Sequence, residues 1–391
     1  MTGRLRLLAG PELAAGAESL NSHVQRLGPL PSTGKAVVDV IEHSALTGRG
    51  GAGFPVGRKW RSVASTGAAT ILVVNGAEGE PQSMKDRVLM ATRPHLVLDG
   101  ALVAARGVGA KQVAIVIGEV HSQAYTAMAS ALAQRPEPVL SQARLLGAPA
   151  RYVAGESSAI AHLVSLGVAR PTSRPPSPHQ SGLLIQNVET LGHAALIARY
   201  GAEWFRSNPT FLVTAAGAVT APGVLEVTQR TSVREVFELA GGGPRPIKSV
   251  LFGGYFGAWS HADGAWDLPI EPTTLRERGL TLGCGVLGFL HDAGCGVCET
   301  ARIMRYLATE SSAQCGPCFF GLRALADATG RIAERGTNPD DLARLHRWSE
   351  EIGSRGACRH PDGAVMFLRS ALDVFGADFA NHPPHWRARV A

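Results

Sequence analysis

Two stretches of this chain hold residue types that could do chemistry: a glycine-rich loop and a late group of cysteines. The loop reads Gly48-Arg49-Gly50-Gly51-Ala52-Gly53-Phe54-Pro55-Val56-Gly57-Arg58-Lys59. Five glycines between positions 48 and 57 are too many for the interior of a helix or strand. Without Cβ atoms in the way, backbone N–H groups there can converge on an anion. Arg49, Arg58 and Lys59 add positive charge beside them, so a phosphate-bearing ligand fits. Gly48, Gly50 and Gly53 formally satisfy G-x-G-x-x-G. The usual dinucleotide fingerprint follows a strand, whereas residues 36–43 have more helical than strand character. A plain surface loop is the competing reading. Only five of the 38 basic residues are lysines: Lys35, Lys59, Lys85, Lys111 and Lys248. Where arginine is so favoured, Lys59 marks a site suited to a compact ammonium rather than a planar fork.

The six cysteines are Cys284, Cys295, Cys298, Cys315, Cys318 and Cys358. Clustered late in a chain of this size, they point to metal or redox chemistry more than to a disulfide scaffold. Cys315-Gly316-Pro317-Cys318 read alone is a thioredoxin-like redox pair, but it lacks the βαβ surroundings of one.

These residues need elements to position them. Residues 35–46 read as a helix entering the glycine loop, and 70–74 as a buried strand. Asn75, Glu78 and Glu80 follow, at the end of a strand where open α/β sheets bind ligands. A cluster of solvated loop acids is the alternative. Helices are expected at 84–91, 94–106 and 121–134, a strand at 112–118, and a short strand at 151–154 that runs into Gly155-Glu156-Ser157-Ser158 at a helix start. Residues 168–182 read as a long loop, and Asn187 as the cap of a further helix. Such alternation implies a parallel sheet. Strands at 211–214, 224–227 and 249–252 and a helix at 232–239 form a small α+β module; from Gly294 the pattern is helical.

Length allows two to four domains, and 45% hydrophobic residues fit a folded globular chain. Net charge is +6, but the arginines are scattered, which argues against nucleic-acid binding. No apolar run reaches membrane-span length. Glu12 and Glu18 interrupt the apolar N-terminal run, against a signal peptide, so a cytoplasmic location is expected.

In this order, TGRGGAGFPVGRKW, NGAEGEPQSMKDR, YVAGESSAI, RPPSP, QNVETL, ESSAQCGPC and the later Cys358 resemble the FMN- and NADH-binding flavoprotein subunit of respiratory complex I. The resemblance covers roughly residues 35–380, and the NGAEGEP wording is also similar to the Rnf-type branch. Residues 1–34 read as an irregular leader with one possible short helix; the resemblance implies an α/β, Rossmann-like FMN-binding domain (35–205), an SLBB-like β-grasp α+β domain (206–275) and a C-terminal helical bundle (276–391) with a Cys-ligated 4Fe–4S cluster. Carried over by position, it implies that Gly48, Arg49, Gly50 and Gly51 wrap FMN, with Lys59 reaching it. Asn75 and Glu78 would touch the isoalloxazine or ribityl side. Tyr152, Gly155 and Glu156 would line the ring, and Asn187 and Thr190 would hold the phosphate end. Ala77 stands where the family has Asp, and Gln186 where it has Asn.

The nicotinamide residues are thinner. Phe54 and Glu80 remain, but Ser62 and Ser177 replace two aromatic rings that clamp an adenine, and Ser157 replaces a second Glu. Each lost ring removes about 1–3 kcal/mol of stacking. Two together cost roughly 30- to 10⁴-fold in affinity. The implied metal motif departs too: C-x-x-C-x-x-C becomes Ser312-Ala313-Gln314-Cys315-Gly316-Pro317-Cys318, with Cys358 as the remote ligand. A cubane normally takes four thiolates. Ser312 would ligate as a harder alkoxide, or the site would hold three irons, or none. Cys295-Gly296-Val297-Cys298 is a second C-x-x-C that the family does not predict. Buried thiols, a disulfide and another metal site are all open, with buried thiols preferred.

The expectation is an FMN-dependent electron-transfer oxidoreductase that works with a ferredoxin or another iron–sulfur subunit, whether free or in a membrane-associated complex. A subunit oxidising NADH and a non-catalytic scaffold are the alternatives.

Overall fold

The computed structural model describes residues 5–66, 70–172 and 182–384, so Ser177 and the RPPSP stretch lie outside the described residues. The chain divides into two compact units. The first takes in residues 1–170, 175–214 and 224–230; the second takes in 171–174, 215–223 and 231–391.

The first unit is built on a four-stranded parallel sheet: β1 (Ile71–Gly76), β2 (Gln112–Gly118), β3 (Arg144–Ala148) and β4 (Leu183–Asn187), in the order β3-β2-β1-β4. Leu72, Val73, Val74 and Val113 to Ile117 are almost fully buried, as apolar runs in a sheet covered on both faces must be. The chain steps from β1 to β2 to β3 in one direction. It then returns to the other side of β1 with β4. The strand order therefore reverses between β1 and β4, whose ends lie in register at Asn75 and Asn187.

Helices Pro94–Val108 and Val188–Tyr200 pack against each other on this sheet, and a Cβ at Gly100 would collide with the Leu191 carbonyl. That contact holds the start of the second helix, and with it Asn187 and Thr190, in place. The N-terminal leader is tied in rather than loose. The N–H groups of Arg6, Leu7 and Leu8 donate to the Glu226 carboxylate at 2.9, 3.0 and 2.9 Å, and Leu7 is fully buried. A helix spans Leu20–Leu27 within it, capped by Ser19.

The expected strands and helices of this unit are present within a few residues, with one correction. Residues 151–154 are not a strand: Tyr152–Gly155 is a 3-10 turn, and the third strand is Arg144–Ala148. The apolar segment around Leu145 and Leu146 pairs with β2, while tertiary contacts fold the Tyr152 segment back over the loop after β1.

A second sheet has five strands: β5 (Thr210–Gly217), β6 (Gly223–Thr228), β7 (Ile247–Phe252), β8 (Ala258–His261) and β9 (Val286–His291), in the order β6-β5-β9-β7-β8. β9 pairs antiparallel with β7. The sheet thus takes its middle strand from beyond residue 275, inside the segment assigned to the C-terminal domain. Helix Val233–Leu239 starts with a capping box of Ser232 and Glu235. Helices Gly296–Thr309, Arg323–Arg335, Pro339–Ile352 and His360–Val374 make up most of the rest, with a π-helical turn at Pro317–Leu322. Among the described residues no single helix is long and apolar enough to cross a membrane.

Candidate functional site

The glycine loop leads from helix Val37–His43 into helix Val56–Ala64. Its neck is closed by Gly48 N–H donating to Phe54 O at 2.9 Å and Val56 N–H donating to Leu46 O at 2.9 Å. Gly51 (φ +100°) and Gly53 (φ +63°) take the left-handed backbone that other residues resist. Residues 50 to 55 are exposed. The loop is fastened to the β4 side, where Arg49 N–H donates to Thr190 Oγ1 at 2.9 Å. The glycine loop, the end of β1 and the end of β4 therefore meet where the strand order reverses, the position at which open α/β sheets bind ligands.

Two polar groups here lack the partners that burial normally demands. Lys59 is a part-buried residue whose ammonium end is drawn out of water, and its Nζ donates to the Ile185 carbonyl at 2.6 Å; among the described residues no carboxylate pairs with it. Burial pulls its ammonium down to about 8. Gln186, the next residue on β4, is buried with its Nε2 making no hydrogen bond. A buried cation and an unused amide donor beside an open glycine loop fit an anionic ligand rich in acceptors.

Other expected residues hold the site's frame. Asn75 donates Nδ2 to Gly155 O at 3.0 Å and accepts from Ala77 N–H at 3.2 Å, joining the loop after β1 to the Tyr152–Gly155 turn. Tyr152 donates its hydroxyl to Glu80 Oε2 at 2.9 Å, and a Cβ at Gly79 would collide with Tyr152 O. Gly155 lies against Ala77. Glu78 sits at φ +44°; its carboxylate accepts from Ser83 Oγ (2.8 Å), Asp86 N (2.9 Å) and Arg87 N (3.1 Å), capping helix Lys85–Thr92. Glu156 caps helix Ser157–Leu166. The fully buried Thr190 spends its hydroxyl on the glycine loop. Asn187 caps helix Val188–Tyr200, as its sequence position suggests, and donates Nδ2 to Asp86 Oδ2 at 2.7 Å.

Arg49 turns inward. Its guanidinium lies 3.8 Å over the Phe211 ring, donates to Thr210 O at 3.3 Å and faces Glu189 at 3.9 Å. Burial lowers its pKa to about 10 against the pull of Glu189.

Sequence reasoning missed the charges beneath. Lys85 Nζ sits 2.6 Å from Asp86 and 3.0 Å from Glu189, and all three are buried. Burial opposes the Lys85 charge, but Asp86 and Glu189 hold its pKa above the ordinary value. Burial raises that of Asp86 despite Lys85. The scarcity of lysine was a usable signal for Lys85, as it was for Lys59. Asp86 and Glu189 carried none beyond membership of the MKDR and NVETL stretches.

Of the expected nicotinamide residues, Phe54 presents a ring that is 56% exposed. Glu80 is buried and bonded to Tyr152. Ser62 stands part-buried on helix Val56–Ala64, and Ser157 opens helix Ser157–Leu166.

In the second unit Cys315, Cys318 and Cys358 come together. Ala357 N–H points to Cys315 Sγ at 3.5 Å, and Cys318 is buried. Burial, then the neighbouring Cys315 and Cys358, pushes the Cys318 thiol up to about 12. Three thiols on one spot suit a soft iron–sulfur centre. Cys284 is apart from this set, with Sγ donating to Gly253 O at 3.2 Å. The second C-x-x-C is not merely a pair of buried thiols: Cys295 and Cys298 are part-exposed and share a partner, His382.

Comparison with known proteins fits this arrangement. The model "Nuo51 FMN-binding domain" matches residues 41–195. "SLBB domain" matches 212–249, and "NADH-ubiquinone oxidoreductase-F iron-sulfur binding region" matches 298–382. The F 2 subunit of NADH-quinone oxidoreductase in Rhizobium meliloti (strain 1021) is 32% identical over 372 residues, covering 88% of each chain. This chain belongs to the family of complex I-type flavoprotein F subunits. A second member, NADP-reducing hydrogenase subunit HndC of Solidesulfovibrio fructosivorans, is 28% identical over 379 residues, covering 90% of this chain and 77% of that one. A crystal structure of an NAD+-reducing NiFe-hydrogenase in the H2-reduced state superposes with a TM-score of 0.79 at 26% identity, over 90% of this chain and 63% of that chain. Family membership accords with the expected fold class, with FMN and an iron–sulfur centre as cofactors, and with an oxidoreductase.

Proposed function

We propose that this chain is an FMN-dependent electron-transfer subunit that passes electrons between a donor, FMN and an iron–sulfur centre. The observation that carries the flavin site is the coincidence, at the β1/β4 reversal, of an open glycine loop, a buried Lys59 ammonium without a carboxylate and an unbonded Gln186 amide. When bound, FMN converts between two-electron and one-electron traffic. The chain's residues would bind and orient it. Backbone N–H groups of Gly50 and Gly51 and the Lys59 ammonium would meet its anionic end, and Gln186 would supply its free donor. Asn75, Glu78, Tyr152, Gly155 and Glu156 hold the surrounding backbone, Thr190 fastens the loop, and Asn187 caps the helix that carries Thr190. Cys315, Cys318 and Cys358, with Ser312 at the fourth motif position, would hold the iron–sulfur centre.

The relatives are named as subunits of larger oxidoreductases. This supports an iron–sulfur protein or subunit as the partner; we place its action in the cytoplasm, free or beside a membrane-associated assembly. The exposed Phe54 ring favours a second reading, NADH as donor, since a flat apolar ring at the loop is what an adenine stacks on.

Anaerobic purification with FMN reconstitution tests the assignment. A flavin spectrum with a broad iron–sulfur shoulder is expected. A protein that takes up neither flavin nor iron is a scaffold.

A further inference from the structure

The second C-x-x-C has a third partner that its sequence neighbourhood does not show. Cys295 caps the N-terminus of helix Gly296–Thr309, and Cys298 lies in its first turn, where its N–H donates to Cys295 Sγ at 3.3 Å. That bond folds the Cys295 sulfur back over the first turn, beside Cys298. His382 arrives from 84 residues further on, with Nε2 3.2 Å from Cys295 Sγ and 3.8 Å from Cys298 Sγ. The three ligand atoms lie within 4.8 Å of one another.

We propose that Cys295, Cys298 and His382 form a zinc site, distinct in its ligands from the Cys315, Cys318 and Cys358 set. A tetrahedral zinc with bonds of about 2.3 Å to sulfur and about 2.0 Å to nitrogen sets sulfur and nitrogen about 3.5 Å apart. The observed separations bracket that spacing. Two thiolates and an imidazole select zinc or another soft metal over calcium or magnesium. A disulfide between the cysteines would have no use for an imidazole nitrogen facing both sulfurs.

Both sides of the site are held. A Cβ at Gly296 would collide with the Phe375 ring, so the helix start is seated closely. On the other side, His382 N–H donates to Thr337 Oγ1 at 2.7 Å, and Thr337 N–H donates to His382 O at 3.0 Å. His382 itself is buried. Glu299, the nearest carboxylate on the helix, is paired with Arg302 at 2.6 Å, which leaves the fourth position to water. The metal pins the segment after helix Gly376–Ala380 to the start of helix Gly296–Thr309.

The full chain, purified under reductant and dialysed anaerobically against chelator, is the material for the test. Zinc added back is counted by elemental analysis. Cobalt(II), titrated separately, is read by its thiolate charge-transfer and visible ligand-field bands. One equivalent is expected at this site in wild type and in Cys315→Ser. Cys298→Ser and His382→Gln should each lose more than the roughly 10- to 100-fold in affinity that removing a mere supporting group costs. Circular dichroism of the metal-free variants confirms that they fold; if one does not, the other decides. Retention of metal by both variants, loss in Cys315→Ser alone, or a Cys295–Cys298 disulfide found after anaerobic thiol blocking overturns the proposal.

Discussion

Replacing Lys59 by Met should stabilise the flavin-free protein and weaken its hold on FMN. The lysine's ammonium end is drawn out of water with one carbonyl as partner, and burial lowers its pKa from 10.5 to about 8. That difference is on the order of 3 kcal/mol against folding wherever both folded and unfolded chains carry the charge. The sign follows from the direction. A lysine with a lowered folded pKa penalises the fold fully below about pH 8, and the penalty vanishes as pH rises towards 10.5. Losing the hydrogen bond to Ile185 returns about 1 kcal/mol. The flavin-free variant should therefore be roughly 1–2 kcal/mol more stable than wild type at pH 7, and the gap should close by pH 10. FMN binding should weaken roughly 10- to 150-fold, the loss of one charge-assisted hydrogen bond of about 1.5–3 kcal/mol. Urea midpoints of stripped protein across pH, and FMN titration by flavin fluorescence, read the two effects. A variant less stable than wild type at pH 7, a gap that persists at pH 10, or unchanged FMN affinity would refute the reasoning.

Gly50→Val should purify folded but colourless, because a Cβ there touches only Asn187 Cβ at 3.6 Å while the branched side chain blocks the loop mouth; a variant as yellow as wild type removes the loop from the flavin site. NADH should bleach the wild-type flavin slowly, and Ser62→Phe with Ser177→Phe should speed it by restoring two stacking rings; rapid bleaching of wild type at micromolar NADH contradicts this. Wild type should hold substoichiometric or oxygen-labile iron, and Ser312→Cys a sturdier 4Fe–4S cluster, since a serine hydroxyl is far less acidic than a thiol. Iron and acid-labile sulfide assays with electron paramagnetic resonance measure this; a full, air-stable cluster in wild type acquits Ser312.

Local signals in the chain sufficed for much of the frame. The apolar runs at 70–74 and 112–118 become β1 and β2 because short-range burial and period are enough to specify a strand. Asn187 caps its helix because capping reaches only two or three residues. The glycine loop is open because glycine carries its freedom wherever it stands. Roles that depend on a distant partner were not legible. Arg49 looked like a ligand-facing cation until Phe211 and Thr210 folded against it. Glu78 looked like a flavin contact, yet its carboxylate caps the following helix. Tyr152 sat in an apparent strand until Glu80 and Gly79 drew it into a turn. His382 gave no hint of Cys295, 87 residues away. Sequence alone thus determined much of the strand and helix frame, the loop and the Cys315–Cys318 spacing, because these rest on residue type and near neighbours. Tertiary structure alone decided which polar side chain faces a ligand and which is consumed inside. That choice depends on which donors, acceptors and charges from far along the chain arrive within about 3 Å, because a buried polar group left without a partner is costly.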